Sequence, residues 1–211
     1  MDELIFSHVK LEWQLMNVIS IDSSGEFNFS VAVLRDGEIT SSKTIEGRFS
    51  EHFFPFLFSL GRKIFEEIDL LAVNTGPGSY TGIRAAIAAL QGLSIFSNKK
   101  LIGLDTFSVV LDKFERNNWE KMKNWNTIAI ALRGYNDSFC YLKEFERNFE
   151  EHAKIIRIDR KELGKICSDI LLTNVPGCGH ICEVSAEDLA LLALQQKNFK
   201  NEFQPVVPLY I

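Results

Sequence analysis

The sequence predicts an α/β protein, built as one large domain or as two small lobes. Three observations carry this. The chain opens on strand-like segments around a hairpin signal, it runs strand-turn-helix-strand around residues 70–105, and strand-like segments start again after a polar stretch near residue 120. At 211 residues the chain is long enough to bury a sizeable core. With 46% hydrophobic and 24% charged residues it is a globular rather than a disordered composition.

Taken in order, "NVISIDSS" (17–24) reads as a buried strand entering a turn, and "FNFSVAVLRDGEI" alternates up to Asp36-Gly37, a strong hairpin signal. "SEHFFPFLFSLGRKIFEEI" places Phe53, Phe54, Leu57, Phe58, Leu60 and Ile64 near helical spacing, predicting one helix over about 51–66 with Pro55 in its first turn and Gly61 as its weak point. "IDLLAVNTGPGS" is a short apolar run ending in turn residues, and a helix follows from Gly82 to Ser97. "KKLIGLDTF" is a further strand, so the order implies a right-handed crossover between parallel strands. "KFERNNWEKMKNW" reads as the polar connection between lobes. "TIAIALRG" and "SFCYLKEFE" are two strands joined by a Gly-Tyr-Asn-Asp turn, and "DILLTN" is another before the turn "VPGCG". Ser185 caps a last helix, "SAEDLALLALQQ", with Asp188 three residues on. No repeat at a fixed period is visible.

The formal charge of −5 argues against a basic groove that grips nucleic acid unaided, so RNA contact would be local or shared with a partner. No apolar window is long enough to span a membrane, and "LIFSHVKLEWQLM" breaks its apolar stretch with polar residues, unlike a signal peptide. The default compartment is the cytosol, where Cys140, Cys167, Cys178 and Cys182 are most simply reduced thiols.

The turn "TGPGSYTGIR" (75–84) raises the functional question. A strand-to-helix turn rich in glycine offers backbone N–H groups and a helix dipole to an anion. Its spacing, Gly76, Gly78, Gly82, fits neither the Walker loop nor the dinucleotide loop, although Asp105 lies about 20 residues on, where an acidic ribose partner sits. The competing reading is in the helix. Ile83, Ile87, Leu90 and Leu93 form one apolar stripe, while Ala85, Ala88, Ala89 and Gly92 form a second stripe of small residues over which another helix can approach closely. A helix of the same chain and a partner subunit both fit that stripe.

Catalytic constellations are sparse. His8, His52, His152 and His180 are scattered. "CGHIC" brings Cys178, His180 and Cys182 together as part of a zinc set, but a matching second pair is lacking and a buried turn is the simpler use. Asp22, Ser23 and Ser24 at the end of the first strand suit either a metal-bound phosphate or side-chain capping of the turn. Ser79, Tyr80 and Thr81 have no base nearby in sequence. Arg133 ends an apolar strand, where it either clamps an anion or pairs with an acid across the lobe boundary.

Together, "NVISIDSS", "IDLLAVNTGPGSYTGIRAAIAALQGLS", "LIGLDTFSVV" and "PVVPLYI" resemble the bacterial TsaB (YeaZ) family, strongly over Asn17 to Phe107 and more weakly beyond. The resemblance implies an actin-like ATPase (RNase H-like, ASKHA) fold of two α/β lobes. The lobes would be 17–107 with a return helix 185–198, and 108–184, flanked by an extension 1–16 and a tail 199–211. It also implies a role in making threonylcarbamoyladenosine beside the anticodon of tRNAs that read codons starting with A. In that role the chain would be a scaffold without catalytic residues. It would pair with the larger paralogue TsaD through Phe53, Leu57, Leu60, Ile64, Ala85, Ala88, Ala89 and Gly92, and help recruit the ATPase TsaE. It would meet tRNA only through the complex, and form a homodimer when alone. The paralogue carries metal-binding histidines after the strand that here reads "LIGLDTF", where this chain has Asp105, Thr106 and Phe107. No cofactor of its own is implied, with ATP or ADP at the interface of the complex.

The chain departs from that pattern at Phe49, where relatives have His, and at Ala131, where they have Asp before Ala-Arg. It ends at Tyr210-Ile211, where relatives commonly continue with Leu-Arg and a short tail. Fifteen residues precede Met16, so Met16 is expected to be the start or residues 1–15 a disordered extension. The rival reading is an autonomous nucleotide-binding enzyme using Asp22, Ser23, Gly76, Gly78, Ser79, Thr81 and Arg133. A glycoprotease would need a nucleophile-base pair or a metal set that the sequence does not display.

Overall fold

The computed structural model describes residues 16–59, 61–118, 125–134, 137–146, 154–196 and 205–211. The expectation for residues 1–15 and the placement of Leu60 fall outside these. Two five-stranded sheets organise the chain. In the first, β1 (Val18–Asp22) is buried along its whole length, pairing antiparallel with β2 (Asn28–Arg35) and parallel with β4 (Leu70–Gly76). Beyond them lie β3 (Glu38–Glu46) and β5 (Lys100–Asp105) at the two edges. The β2-β3 turn is the expected hairpin, with Asp36 and Gly37 both at positive φ as a two-residue loop of this hand requires.

The second sheet repeats this plan. β6 (Thr127–Arg133) pairs antiparallel with β7 (Phe139–Glu146) and parallel with β9 (Ile170–Thr173). β8 (Ile156–Asp159) and β10 (His180–Ile181) take the edges. Strand for strand, antiparallel and parallel partners correspond, so the architecture is duplicated although the sequence shows no period. The edge strands of the second lobe are short, four and two residues, and carry no pattern that sequence could reveal.

Helices separate by sheet face. Ile19, Ile21, Val31, Val33, Leu71 and Val73 point to one face of the first sheet, where they meet Phe53 and Leu57 of α1 (Phe49–Ser59) and Ile83, Ile87 and Leu90 of α3 (Tyr80–Ser97). One helix was expected over 51–66, but Gly61 sits at φ +76, outside the right-handed helical region, and a separate α2 (Arg62–Glu67) follows. Pro55 lies in the interior of α1, because that helix starts at Phe49. Its ring removes one backbone donor there. Phe49 stacks on Phe53 at 4.4 Å between ring centroids and meets Phe29 edge-on at 5.0 Å, contacts a histidine would fill less well.

The opposite face is covered by α5 (Ala186–Gln195), whose Leu189, Ala190 and Ala193 pack against Val18, Leu70 and Ala72. Its start is tied to the strands: Ser20 Oγ donates to the Ala186 carbonyl at 2.5 Å, and the Ala186 N–H donates to Ser30 Oγ at 2.8 Å. Asp188 accepts from the Ser185 N–H at 3.0 Å, the return half of a capping box.

The polar segment read as a connector starts inside the last turn of a helix, α4 (Thr106–Asn117), capped by Asp105, which accepts from the Ser108 N–H at 3.0 Å. Val109 packs with the first sheet's cluster, whereas Phe107, Val110 and Phe114 pack on Ile128, Ile130 and Leu132 of the second. A lobe boundary at 107/108 would cut a helix that belongs to both. Its charges are used inward: Lys113 Nζ lies 2.9 Å and Arg116 3.2 Å from buried Asp188 on α5, and Arg116 lies 2.8 Å from buried Asp112.

Asp188 therefore caps α5 and neutralises two cations of α4. Asp188→Ala is expected to lower unfolding stability by about 1–3 kcal/mol, less than the roughly 3–5 of a fully buried pair because both cations keep partial access to water. A fall in the urea midpoint with unchanged slope would register it, and an unchanged midpoint would contradict this role.

Candidate functional site: the glycine-rich turn and the helix it starts

β4 leaves its sheet through a bulge, where the register passes from Asn74 opposite Leu104 to Gly76 opposite Asp105. The chain then turns through a cis Gly76–Pro77 bond, with Gly76 at φ +105, a conformation that favours glycine. Gly78 and Gly82 answer to space. A Cβ on Gly78 would lie 2.8 Å from Ser24 Cα, and one on Gly82 would lie 2.5 Å from the Ser23 carbonyl oxygen. The turn is thus pressed against the backbone that leaves β1.

Four of its donors are engaged by the protein itself. The Ser79 N–H donates to the Ser24 carbonyl at 2.7 Å, the Gly76 N–H to Asn74 Oδ1 at 2.8 Å, the Gly82 N–H to Ser79 Oγ at 3.4 Å, and the Ile83 N–H to the Ser79 carbonyl at 2.9 Å. Anion binding at such a turn needs free backbone N–H groups, and these four are already used.

Asn74 holds the assembly together. Its Nδ2 donates to Asp22 Oδ1 at 2.8 Å, while its Oδ1 accepts from Gly76 and lies 2.9 Å from the Thr106 hydroxyl. That hydroxyl is also 2.9 Å from the Pro77 carbonyl oxygen, so its one proton serves either acceptor. Burial pushes the Asp22 carboxyl above the usual range, against the opposing effect of hydrogen bonds from Ser24 and Asn74. Ser23 Oγ is buried with no hydrogen-bond partner among the described residues. The ligand group proposed from sequence is therefore brought together in part: Asp22, Ser23, Gly76, Gly78 and Ser79 adjoin one another, while Thr81 is exposed on the first turn of α3.

Arg133 stands apart at the end of β6. Its guanidinium lies 3.4 Å from Asp137 and 3.7 Å from Glu26, which belongs to the turn after β1 in the other lobe. Of the two uses left open, the geometry contains the acid pairing across the lobes. Ala131 is fully buried among Ala129, Leu142 and Leu163.

The "CGHIC" residues do not converge. Cys178 packs with Ala129 and Ala131 on the outer face of the second sheet, whereas Cys182 packs with Phe114 on the face toward α4. Two ligands on opposite faces of a sheet cannot share one ion. No group of three or more metal-ligating side chains occurs among the described residues.

The helix surface needs one correction. Phe53, Leu57 and Ile64 are buried in the core under α1 and α2, so they are not available at a surface. The exposed aromatics of α1 are Phe54 and Phe58. In α3, Ala85 and Ala89 are half-buried at the flank, while Ala88 and Gly92 face outward, and a Cβ on Gly92 would touch nothing. Sequence reasoning missed the rest of that face: Tyr80, Arg84, Ile95 and Phe96 are all exposed, Phe96 by 86%. The signal was present in the four-residue spacing 80, 84, 88, 92, 96. At the start of this stripe the Arg84 guanidinium lies 4.9 Å above the Tyr80 ring and donates to its hydroxyl.

Asp22 yields a pH-dependent expectation. Its folded pKa is raised, so its contribution is most favourable below the unfolded carboxylate pKa and is lost as pH rises through the folded value. Asp22→Asn keeps the acceptor and removes the charge. It should raise Tm at about pH 7 and leave it unchanged at about pH 3, where wild-type Asp22 is protonated in both states. A lower Tm at neutral pH would mean that the ionised carboxylate is worth more than its desolvation.

A sequence-family model described as TsaD, tRNA N6-adenosine threonylcarbamoyltransferase, matches residues 59–207. The tRNA threonylcarbamoyladenosine biosynthesis protein TsaB of Escherichia coli (strain K12) is 28% identical over 137 residues, 63% of this chain and 56% of that protein. TsaB of Buchnera aphidicola subsp. Baizongia pistaciae is 24% identical over 139 residues, 64% of this chain and 60% of that protein. The chain thus spans 56 to 60% of the length of these curated relatives. Among solved structures, YeaZ from Pseudomonas aeruginosa superposes with a TM-score of 0.63 at 16% identity, over 93% of this chain and 100% of that one. An uncharacterised Pseudomonas aeruginosa protein with similarity to peptidase YEAZ gives 0.67 at 16% identity, over 93% and 99%. At that identity the likeness shows the two-lobed fold alone. With the family model covering well over half of the sequence, the chain belongs to the tRNA N6-adenosine threonylcarbamoyltransferase family, on its TsaB/YeaZ side.

Proposed function

We propose that this chain is a non-catalytic scaffold subunit in the synthesis of threonylcarbamoyladenosine on tRNA. It docks a TsaD-type transferase through the outward face of α3 and α1, helps recruit the ATPase TsaE, and meets tRNA only as part of that complex in the cytosol. The observation that carries this is the pairing of a turn packed against the backbone after β1 with an outward-facing helix. Four N–H groups of the glycine-rich turn and the start of its helix are engaged by the protein, while the helix exposes Ala88, Gly92, Ile95 and Phe96 with Phe54 and Phe58 on the neighbouring helix. An apolar surface of that kind on a soluble protein marks an interaction site. Small residues at its centre let a partner helix approach to about 8–10 Å between axes. Any ATP or ADP then belongs to the interface with the transferase, and the same face would let the isolated chain pair with itself.

The rival, an autonomous nucleotide-binding enzyme, draws on the unpartnered hydroxyl of Ser23 beside Asp22. Two measurements separate the readings. Gly92→Phe should abolish co-purification with TsaD from the same organism while leaving Tm within about 2 °C, because its side chain enters open space. Titration of the isolated chain with ATP and magnesium should give no heat. Retained co-purification would overturn the scaffold surface, and heat with turnover would favour the enzyme.

A further inference from the structure

The bulge that ends β4 leaves one residue without a counterpart. Register passes from Asn74 opposite Leu104 to Gly76 opposite Asp105, so Thr75 faces no residue of β5. Its carbonyl accepts instead from the Leu209 N–H at 2.8 Å, in the C-terminal segment 205–211. The Thr75 side chain is met by the same segment. A Cβ on Gly103 of β5 would lie 2.5 Å from Thr75 Cγ2 and 2.6 Å from Val206 Cγ1, so the bare glycine is a seat that the threonine methyl and the valine share. From that seat Val206 packs against the core cluster that includes Val73 and Ile83. A third contact reaches the helix itself: Gln91 Nε2 donates to the Val206 carbonyl at 2.6 Å.

These contacts share a geometry. Thr75 stands before the glycine-rich turn, and Gln91 lies on α3 after it. The stretch from Val206 to Leu209 therefore ties the two arms of the strand-turn-helix unit to each other across the turn. The segment itself belongs to neither sheet. Val206, Pro208 and Leu209 are half-buried along it, whereas Val207 and Tyr210 are exposed by 63% and 65%. A stretch that buries so little opens at lower free energy than the strands beneath it.

We propose that residues 205–211 are a releasable strap that controls the order of the glycine-rich turn. Seated on Gly103, the strap supplies the donor that the bulge carbonyl of Thr75 lacks and holds α3 to the exit of β4. Lifted, it leaves that carbonyl without its partner and the two arms without their tie, so the turn opens locally while the rest of the fold stands. The proposal concerns the order of the turn and is independent of what α3 docks.

Amide hydrogen exchange of the full chain, read at the turn and in the second sheet, tests this. Val206→Asp puts a charge into the seat, and Gln91→Ala removes the donor to the Val206 carbonyl. Each should speed exchange of the Gly76, Ser79 and Ile83 amides at least about fivefold, with the amides of β6 and β7 unchanged. Val207→Asp carries the same charge one residue along, on the exposed side, and should exchange like wild type. Turn amides that keep wild-type protection in both Val206→Asp and Gln91→Ala would overturn the strap. Equal acceleration in Val207→Asp would also overturn it, by making charge near the turn the cause. So would a matching rise across β6 and β7 in the milder Gln91→Ala, which would show that the segment opens only with the whole protein.

Discussion

The buried amide of Asn74 is the point on which the first lobe and its exit toward the second both depend. One side chain joins the end of β1 through Asp22, the turn through Gly76, and the first residue of α4 through Thr106. Each of these groups is withdrawn from water, where an unmet hydrogen bond costs about 1–3 kcal/mol. Because the partners lie on three separate segments, none can move without leaving another unsatisfied. The direction of α3, and hence of the face it presents, is set by this cluster and by the contact of Gly78 and Gly82 with Ser23 and Ser24.

Between the lobes the constraint is electrostatic as well as apolar. α4 and α5 are the elements whose side chains reach across: α4 divides Val109 from Phe107 and Phe114 between two clusters, and α5 carries Asp188 to Lys113 and Arg116. Arg133 with Glu26 adds an exposed tie at the cleft. In water such a pair contributes little, whereas the buried carboxylate of Asp188 meets two cations of α4 at once.

Much of this was legible in the sequence, for identifiable reasons. The hairpin at Asp36-Gly37, the strand-turn-helix around residues 70–97 and the cap at Ser185 rest on local chemistry that tertiary context leaves unchanged. The last turn of α4 was read as part of a connector because Lys113 and Arg116 look solvated, while their actual partners stand more than 70 residues away on α5 or one turn away on the same helix. In α1 nearly every position is apolar, so spacing could not say that Phe53 and Leu57 go inward and Phe54 and Phe58 outward. The placement of residues 205–211 was invisible for a different reason: Gly103 of β5 and Gln91 of α3, which hold Val206, are ordinary residues whose meaning appears only when that valine is placed beside them.

The close approach of the glycine-rich turn to Ser23 and Ser24 has a consequence for how such signatures are interpreted. Gly76 answers to a backbone angle, and Gly78 and Gly82 answer to neighbouring main chain, all within this polypeptide. Selection on folding alone is enough to keep such residues, whatever happens to a ligand. A phosphate-loop appearance is therefore not by itself a sign of phosphate binding, because packing and backbone angle alone account for all three glycines.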